Sequence, residues 1–357
     1  MRDIEQKRSK LVERIFPEGV PRLWCPLLTH YRADGAIDRE RTVAHIRHMR
    51  PYISSFLAPG STGDGWEMSA EESLGLVEML LSEASTLDFK LMIGVLHTER
   101  GAAAAAVKQL LSRLGADADE AGQPNVDQLI RRNVCGFTVT PPKGKELSQE
   151  LIHEELELIA RTGAPLALYQ LPQITENEMS PETFADLVAR YPNIYLFKDT
   201  SGGDTIALSG VDVAGVRMVR GAEGDYASWL QRTGGYYGFL LSTANCFAQE
   251  LSEVVAAALA GETDKADAVS GRVAAVVSTV FDAAATLPFG NPFANANKAI
   301  DHHFAYGPDQ AAGAEAPMTH SGNRLPTELL KTAASALQTH GLYPVRGYLK
   351  ADDAAQA

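Results

Sequence analysis

The sequence predicts an α/β chain folded as a (β/α)8 (TIM) barrel with a C-terminal helical extension. Three observations lead there. Eight short apolar runs alternate with longer stretches of helical pattern, the rhythm of βα units around a parallel sheet. The runs are apolar nearly throughout, which suits strands covered on both faces. At 357 residues the chain holds one barrel of about 250 residues and an appendage beyond it.

Residues 1–20 read as a helical lead-in and 21–245 as the barrel. Strand candidates fall at 22–29 (RLWCPLLT), 53–59 (ISSFLAP), 89–96 (FKLMIGVL), 134–140 (VCGFTVT), 164–171 (APLALYQL), 193–198 (NIYLFK), 216–220 (VRMVR) and 236–242 (YYGFLLS). Between them the helices announce their starts. Ser69, with Glu72 three positions on, has the form of a capping box. Ser180 before Pro181 puts proline at the first helical position after an N-cap. The alanine-rich stretch 101–115 has high intrinsic helix propensity and follows strand three. Residues 116–133 (ADADEAGQPNVDQLIRRN), acidic and then basic, read as a surface insertion before strand four. Residues 246–345 read as the helical extension, with helices near 246–260, 264–286 and 325–339 and a loop rich in Ala, Gly and Pro at 307–324. Residues 346–357 read as a tail that frays in KADDAAQA.

Composition removes several function classes. A net charge of −13 disfavours nucleic acid and anionic lipid, both of which require clustered Lys and Arg. An anionic substrate must then be drawn in by local positive groups. Cys25, Cys135 and Cys246 lie far apart among apolar neighbours, without CxxC or Cys/His spacing, so they read as core residues; neither a disulfide framework nor a zinc site is indicated. The first residues, MRDIEQKRSKLVERIF, lack an apolar stretch and cleavage site, and no run approaches about 20 apolar residues. The expected compartment is the cytoplasm.

In such a barrel, reacting groups project from the C-terminal strand ends. That rule selects four places. Lys198 closes strand six in Tyr-Leu-Phe-Lys-Asp-Thr-Ser-Gly, where it is either a snorkelling surface residue or a buried amine. An amine attacks a carbonyl only when neutral, and a free lysine with a pKa near ~10.4 is neutral in fewer than about 1 in 1,000 molecules at pH 7. Desolvation favours the neutral form. Tyr169 ends the neighbouring strand five, so its phenol can approach the lysine and move protons, or can be an ordinary core tyrosine. The loop Gly60-Ser61-Thr62-Gly63-Asp64-Gly65 can turn backbone N–H groups and two hydroxyls toward a carboxylate, although glycine-rich turns are common in βα loops. Ser242 and Thr243 after strand eight, with Thr200 and Ser201 beyond the lysine, offer hydroxyls for other substrate oxygens, or caps for the next helix. The pair His302-His303 lies in a helical stretch of the extension and lacks the i, i+4 spacing of two ligands on one helix face.

Taken in order, these segments resemble the N-acetylneuraminate lyase and dihydrodipicolinate synthase family of Schiff-base-forming class I aldolases, from about residue 20 to 260. The matching segments are Gly60-Ser-Thr-Gly-Asp64, Thr140-Pro-Pro-Lys143, Tyr169-Gln-Leu-Pro172 and Phe197-Lys-Asp-Thr-Ser-Gly202. The resemblance implies that Lys198 is the imine lysine and Tyr169 the proton-shuttling phenol, that Ser61 and Thr62 hold the carboxylate, and that Thr200 and Ser242 are further hydroxyl contacts. It also implies a C-terminal helical extension and a homo-oligomer, dimer or tetramer. Ile174 stands where synthase members carry an arginine, and Pro142 and Lys143 stand where they carry tyrosines. Segment 221–225 matches the sugar-chain loop of the lyase branch only in part, and Asn291-Pro-Phe-Ala-Asn-Ala-Asn297 departs from the usual family ending.

The expected function is therefore a lyase or aldolase joining or parting pyruvate, or another 2-oxo acid, and an aldehyde, with a 2-keto-3-deoxy sugar acid as one substrate class. No metal or organic cofactor is expected, since the lysine is itself the electron sink. Two other enzymes fit the same lysine, a Schiff-base dehydratase of a deoxy-keto sugar acid and a dihydrodipicolinate synthase-like enzyme. A non-catalytic 2-oxo acid sensor is the alternative from another class.

Overall fold

A computed structural model describes residues 2–120, 122–230 and 235–350. Eight strands close into one barrel in chain order: β1 (Leu23–Pro26), β2 (Ser55–Ala58), β3 (Lys90–Val95), β4 (Val134–Val139), β5 (Leu166–Gln170), β6 (Ile194–Asp199), β7 (Arg217–Arg220) and β8 (Gly238–Leu240). Each overlaps an expected run, and the strands pair in parallel. Nine helices of the described residues lie before β8 or between strands: α1 (Arg2–Ile15), α2 (Arg39–Met49), α3 (Ala70–Ala84), α4 (Ala102–Arg113), α5 (Val126–Arg131), α6 (Gln149–Ala160), α7 (Pro172–Thr175), α8 (Pro181–Arg190) and α9 (Thr205–Leu208). After β8 come α10 (Ala248–Ala260), α11 (Thr263–Ala284), α12 (Pro292–Gln310) and α13 (Thr327–Thr339). Among the described residues, no helix is long and apolar enough to cross a membrane. Residues 351–357 of the expected tail lie outside the described residues.

Local chemistry sets the boundaries. The capping box forms, with Ser69 accepting from Glu72 N and the Glu72 carboxylate accepting from Ser69 N. Ser180 caps α8, whose first residue is Pro181. The 116–133 segment folds on itself through an antiparallel bridge between Ala118 and Pro124, then enters α5, capped by Asn125. Where an Ala-, Gly- and Pro-rich loop was expected from 307, α12 continues to Gln310 through a kink at Gly307 (φ 67°, ψ −176°).

The chain divides into two compact units. The first comprises 1–22, 88–222 and 229–240, and holds β3 to β8. Its lead-in is anchored by Arg8, a buried guanidinium that donates to the carbonyls of Ile194, Val188, Tyr191 and Ala214, satisfying backbone at the base of β6. Burial lowers that guanidinium to about 10.

The second unit comprises 23–87, 223–228 and 241–357. A buried polar network runs through it. Asp301 on α12 accepts from Arg41 Nη2 at 2.6 Å and from the Tyr348 hydroxyl at 2.9 Å. His45 Nε2 lies 2.7 Å from the Asn245 carbonyl and so carries the proton; its Nδ1 accepts from His30 Nε2 at 3.0 Å. Burial works against the Asp301 charge, but the Arg41 guanidinium and the hydrogen bond from Tyr348 outweigh it and hold the carboxyl below the usual carboxylate range.

This network fixes the sign of the acid response. Burial, above all, depresses His30, His45, His302 and His303 below the ordinary imidazole value, and His48 to about 4. Each stays neutral in the folded chain where the unfolded chain has taken up a proton. Their contribution is complete above about pH 6.5 and is lost as pH falls toward the folded values, by up to about 1.4 kcal/mol per pH unit for each histidine. The melting temperature is expected to fall from pH 7 to pH 5. His45→Gln, which keeps a donor for Asn245, is expected to flatten that fall. Thermal melts at constant ionic strength check both, and a melt flat over this range would contradict neutral burial.

Candidate active site

In the first unit, Lys198 and Tyr169 are Cα partners across β6 and β5, so their side chains leave the same face of the sheet. Lys198 is 4% exposed and Tyr169 3%, and the Lys198 Nζ sits 4.2 Å from the centroid of the Tyr169 ring. The lysine is a buried amine over a phenol, not a snorkelling surface group. Space for its stem comes from Gly221, just after β7. A Cβ there would stand 2.8 Å from Lys198 Cε and 2.4 Å from Thr200 Cγ2.

The next residue on each strand faces the other way, and these three build a polar ladder behind the lysine. Gln170 Nε2 donates to Glu178 at 3.2 Å. Asp199 accepts from Ser201 N at 2.8 Å and from the Tyr236 hydroxyl at 3.2 Å, and burial holds its carboxyl above the usual range. Arg220 grips Asp204 with two bonds, of 2.9 and 3.0 Å. The ladder pins the ends of β5, β6 and β7, and so fixes where Lys198 emerges.

Thr200 is half-buried, and both its N–H and its hydroxyl donate to the Gln170 carbonyl, at 3.0 and 2.7 Å. It therefore offers a substrate lone pairs, not a proton. Val139 pairs with Leu168, which sets Thr140 alongside Tyr169; the Thr140 hydroxyl is buried without a hydrogen-bond partner. Such a group in a native fold calls for an explanation. Lys143 turns outward to Glu176 at 3.2 Å.

In the second unit, Ser61, Thr62 and Gly63 form one 3-10 turn closed by Asp64 in the left-handed region (φ 61°). The N–H groups of Gly63 and Gly65 bond the Gly60 carbonyl, and that of Asp64 bonds the Ser61 carbonyl. The donors left to open the turn are those of Ser61 and Thr62, together with their hydroxyls; Ser61 Oγ also accepts from Trp66 Nε1 at 2.8 Å. Gly63 is required because a Cβ would stand 2.4 Å from the Leu27 carbonyl oxygen. Ser242 does not cap α10, whose N-cap is Phe247. Its hydroxyl donates to Glu223 at 2.6 Å, and the same carboxylate accepts from Thr243 Oγ1 at 2.7 Å and from Tyr226 at 3.0 Å.

Sequence reasoning did not single out Glu223, Gly221, Asn297 or Lys298. Gly221 and Glu223 lay in the partial loop match at 221–225 and Asn297 in the segment that departs from the usual family ending; Lys298 had no signal. Among the described residues, His30, His45 and Asp301 bring metal-type donors together, but Arg41 already supplies the positive charge at that carboxylate. The three cysteines are buried thiols outside any disulfide, and burial raises Cys135 to about 12, away from thiolate chemistry.

A closed parallel barrel with a buried lysine beside a phenol at its strand ends is the framework of the class I aldolases and lyases. The chain belongs to the dihydrodipicolinate synthetase family, whose model matches residues 20–291. It is an enzyme of that aldolase and lyase type. It is 26% identical over 249 residues to 4-hydroxy-tetrahydrodipicolinate synthase of Sulfurihydrogenibium sp. (strain YO3AOP1), covering 67% of this chain and 75% of that protein. Two solved structures share the fold. Dihydrodipicolinate synthase DapA-2 from Bacillus anthracis matches with TM-score 0.67 and 19% identity, over 89% of this chain and 97% of its own. A variant of 2-keto-3-deoxygluconate aldolase from Sulfolobus solfataricus, in complex with pyruvate, matches with TM-score 0.67 and 16% identity, over 90% and 96%.

Proposed function

We propose that this enzyme makes or breaks a carbon–carbon bond beside a 2-oxo acid held as an imine on Lys198. The observation that carries the reading is the buried Lys198 amine 4.2 Å from the Tyr169 ring. The neutral amine adds to C2 of pyruvate, and loss of water leaves a protonated imine. That cation draws electrons from C3; loss of a C3 proton gives an enamine, which attacks an aldehyde carbon and forms the new bond. The alkoxide takes up a proton, and water releases the product and restores the amine. Tyr169 moves the protons at each stage. Ser61 and Thr62 are assigned the carboxylate, and Thr200 and Ser242 other substrate oxygens, Ser242 together with its partner Glu223. Cleavage of a 2-keto-3-deoxy sugar acid is the same path reversed. Ile174, with Lys143 turned to Glu176, favours this over the synthase reaction. The family resemblance further supports a homo-oligomer, dimer or tetramer, and buried thiols fit a reducing compartment such as the cytoplasm.

The test is to incubate the protein with pyruvate, reduce with borohydride and map the adduct by mass spectrometry. A stable secondary amine on the Lys198 peptide is expected. Its absence with every 2-oxo acid tried would remove the aldolase and the dehydratase together; an adduct without turnover on aldehydes or sugar acids would point to a sensor.

A further inference from the structure

The segment Asn291–Asn297 and the lysine after it take no part in the chemistry above, yet from Ala294 onward they lie in the buried part of α12. Asn295, Asn297, Lys298, Asp301 and His302 are all at most 1% exposed. A helix with so many polar groups inside must aim each at a partner. Two of these partners belong to the segments assigned to substrate binding.

Asn297 Nδ2 donates to Ser242 Oγ at 3.1 Å and to the Phe293 carbonyl at 2.9 Å. Because Ser242 also donates to Glu223, its hydroxyl is fixed from both sides. The next residue, Lys298, donates to Asp64 Oδ2 at 2.5 Å and to the Met318 carbonyl at 3.2 Å, with its ammonium 4.7 Å from the centroid of the Tyr31 ring. Both side chains of the ion pair are 1% exposed. Asp64 is the left-handed residue that closes the Ser61–Gly63 turn, so its carboxylate cannot shift without moving the turn.

A buried ion pair is a poor means of gaining stability, since desolvation can outweigh the attraction and an apolar pair of similar volume often serves as well. What it supplies is direction. We infer that Asn297 and Lys298 are positioning residues, and that one step along α12 sets the register of the Ser61–Thr62 turn and of Ser242. The inference rests on the carboxylate role proposed for that turn.

The experiment titrates pyruvate against borohydride trapping at Lys198 in the full-length protein, and records thermal melts beside it. The double variant Asp64→Asn, Lys298→Met removes both charges and leaves no buried ion unpaired. It is expected to melt near the wild type and to reach the same trapped fraction at saturation, but to need at least about tenfold more pyruvate for half of it. A purely structural pair predicts the opposite split, an altered melt with unaltered half-saturation. Should the double variant fail to fold, Lys298→Arg gives the same reading. It forces a broader cation into a slot sized for an ammonium, displaces Asp64 and raises the half-saturation several-fold. A folded variant of either kind with wild-type half-saturation overturns the inference alone, whereas a wild type that traps no pyruvate overturns the proposed function with it.

Discussion

Lys198→Arg is expected to abolish the pyruvate adduct and to lower turnover by about ten-thousand-fold or more. Arginine keeps the charge, but its guanidinium does not lose a proton under protein conditions and has no localised lone pair for C2 of the acid. The change also introduces a bulkier head where Gly221 leaves room only for a lysine stem. Lys198→Met therefore accompanies it, keeping the volume while removing the amine. Both variants should lose the adduct, and Met should retain the melting temperature within a few degrees, because removing an amine from an apolar strand end leaves no other charge unpaired. Mass spectrometry after reduction, steady-state turnover and thermal melts are the three measurements. Turnover surviving in Lys198→Met would exclude the imine mechanism whatever the fate of the arginine variant.

The barrel was legible because its strands are buried on both faces, so apolar runs and strands coincide. α12 was expected only as a helical stretch around His302-His303 without bounds, for the converse reason. Asn295, Asn297, Lys298, Asp301, His302 and His303 share the interior with Ala294, Ala296, Ala299 and Ile300, so buried polar groups interrupt the apolar stripe that the pattern detects. Its continuation to Gln310 was hidden by Gly307 and Pro308, which mark a kink and not an end.

The site divides along the same line. Lys198 and Tyr169 could be placed together because they end consecutive strands, and adjacent parallel strands put residues of equal height side by side. Lys298 and Asp64 are 234 positions apart and belong to no repeating pattern. Nor does a sequence reveal that the Thr200 hydroxyl is turned to the Gln170 carbonyl, or that Ser242 donates to Glu223; hydroxyl rotors answer to tertiary neighbours.

Gly221→Ala tests the geometry of the lysine without touching its chemistry, and is expected to lower kcat/KM by about a hundredfold. The backbone at Gly221 lies outside the left-handed region, so an alanine would not be strained by its dihedral angles. The obstacle is space. The added methyl would lie 2.4 Å from Thr200 Cγ2, 2.8 Å from Lys198 Cε and 3.2 Å from the Leu240 carbonyl oxygen. Thr200 is tied to Gln170 through both its N–H and its hydroxyl, so it gives little, and the lysine stem is the part that moves. An amine displaced by about 1 Å no longer meets C2 at the required angle, and imine formation slows. Pairing the change with Thr200→Ser removes Cγ2, keeps the hydroxyl bond and opens the tightest approach, so the double variant should recover part of the loss. Single-turnover trapping of pyruvate reads the rate directly. Trapping by Gly221→Ala at the wild-type rate would mean that Lys198 has freedom the packing denies it, and that its position is not set by the glycine.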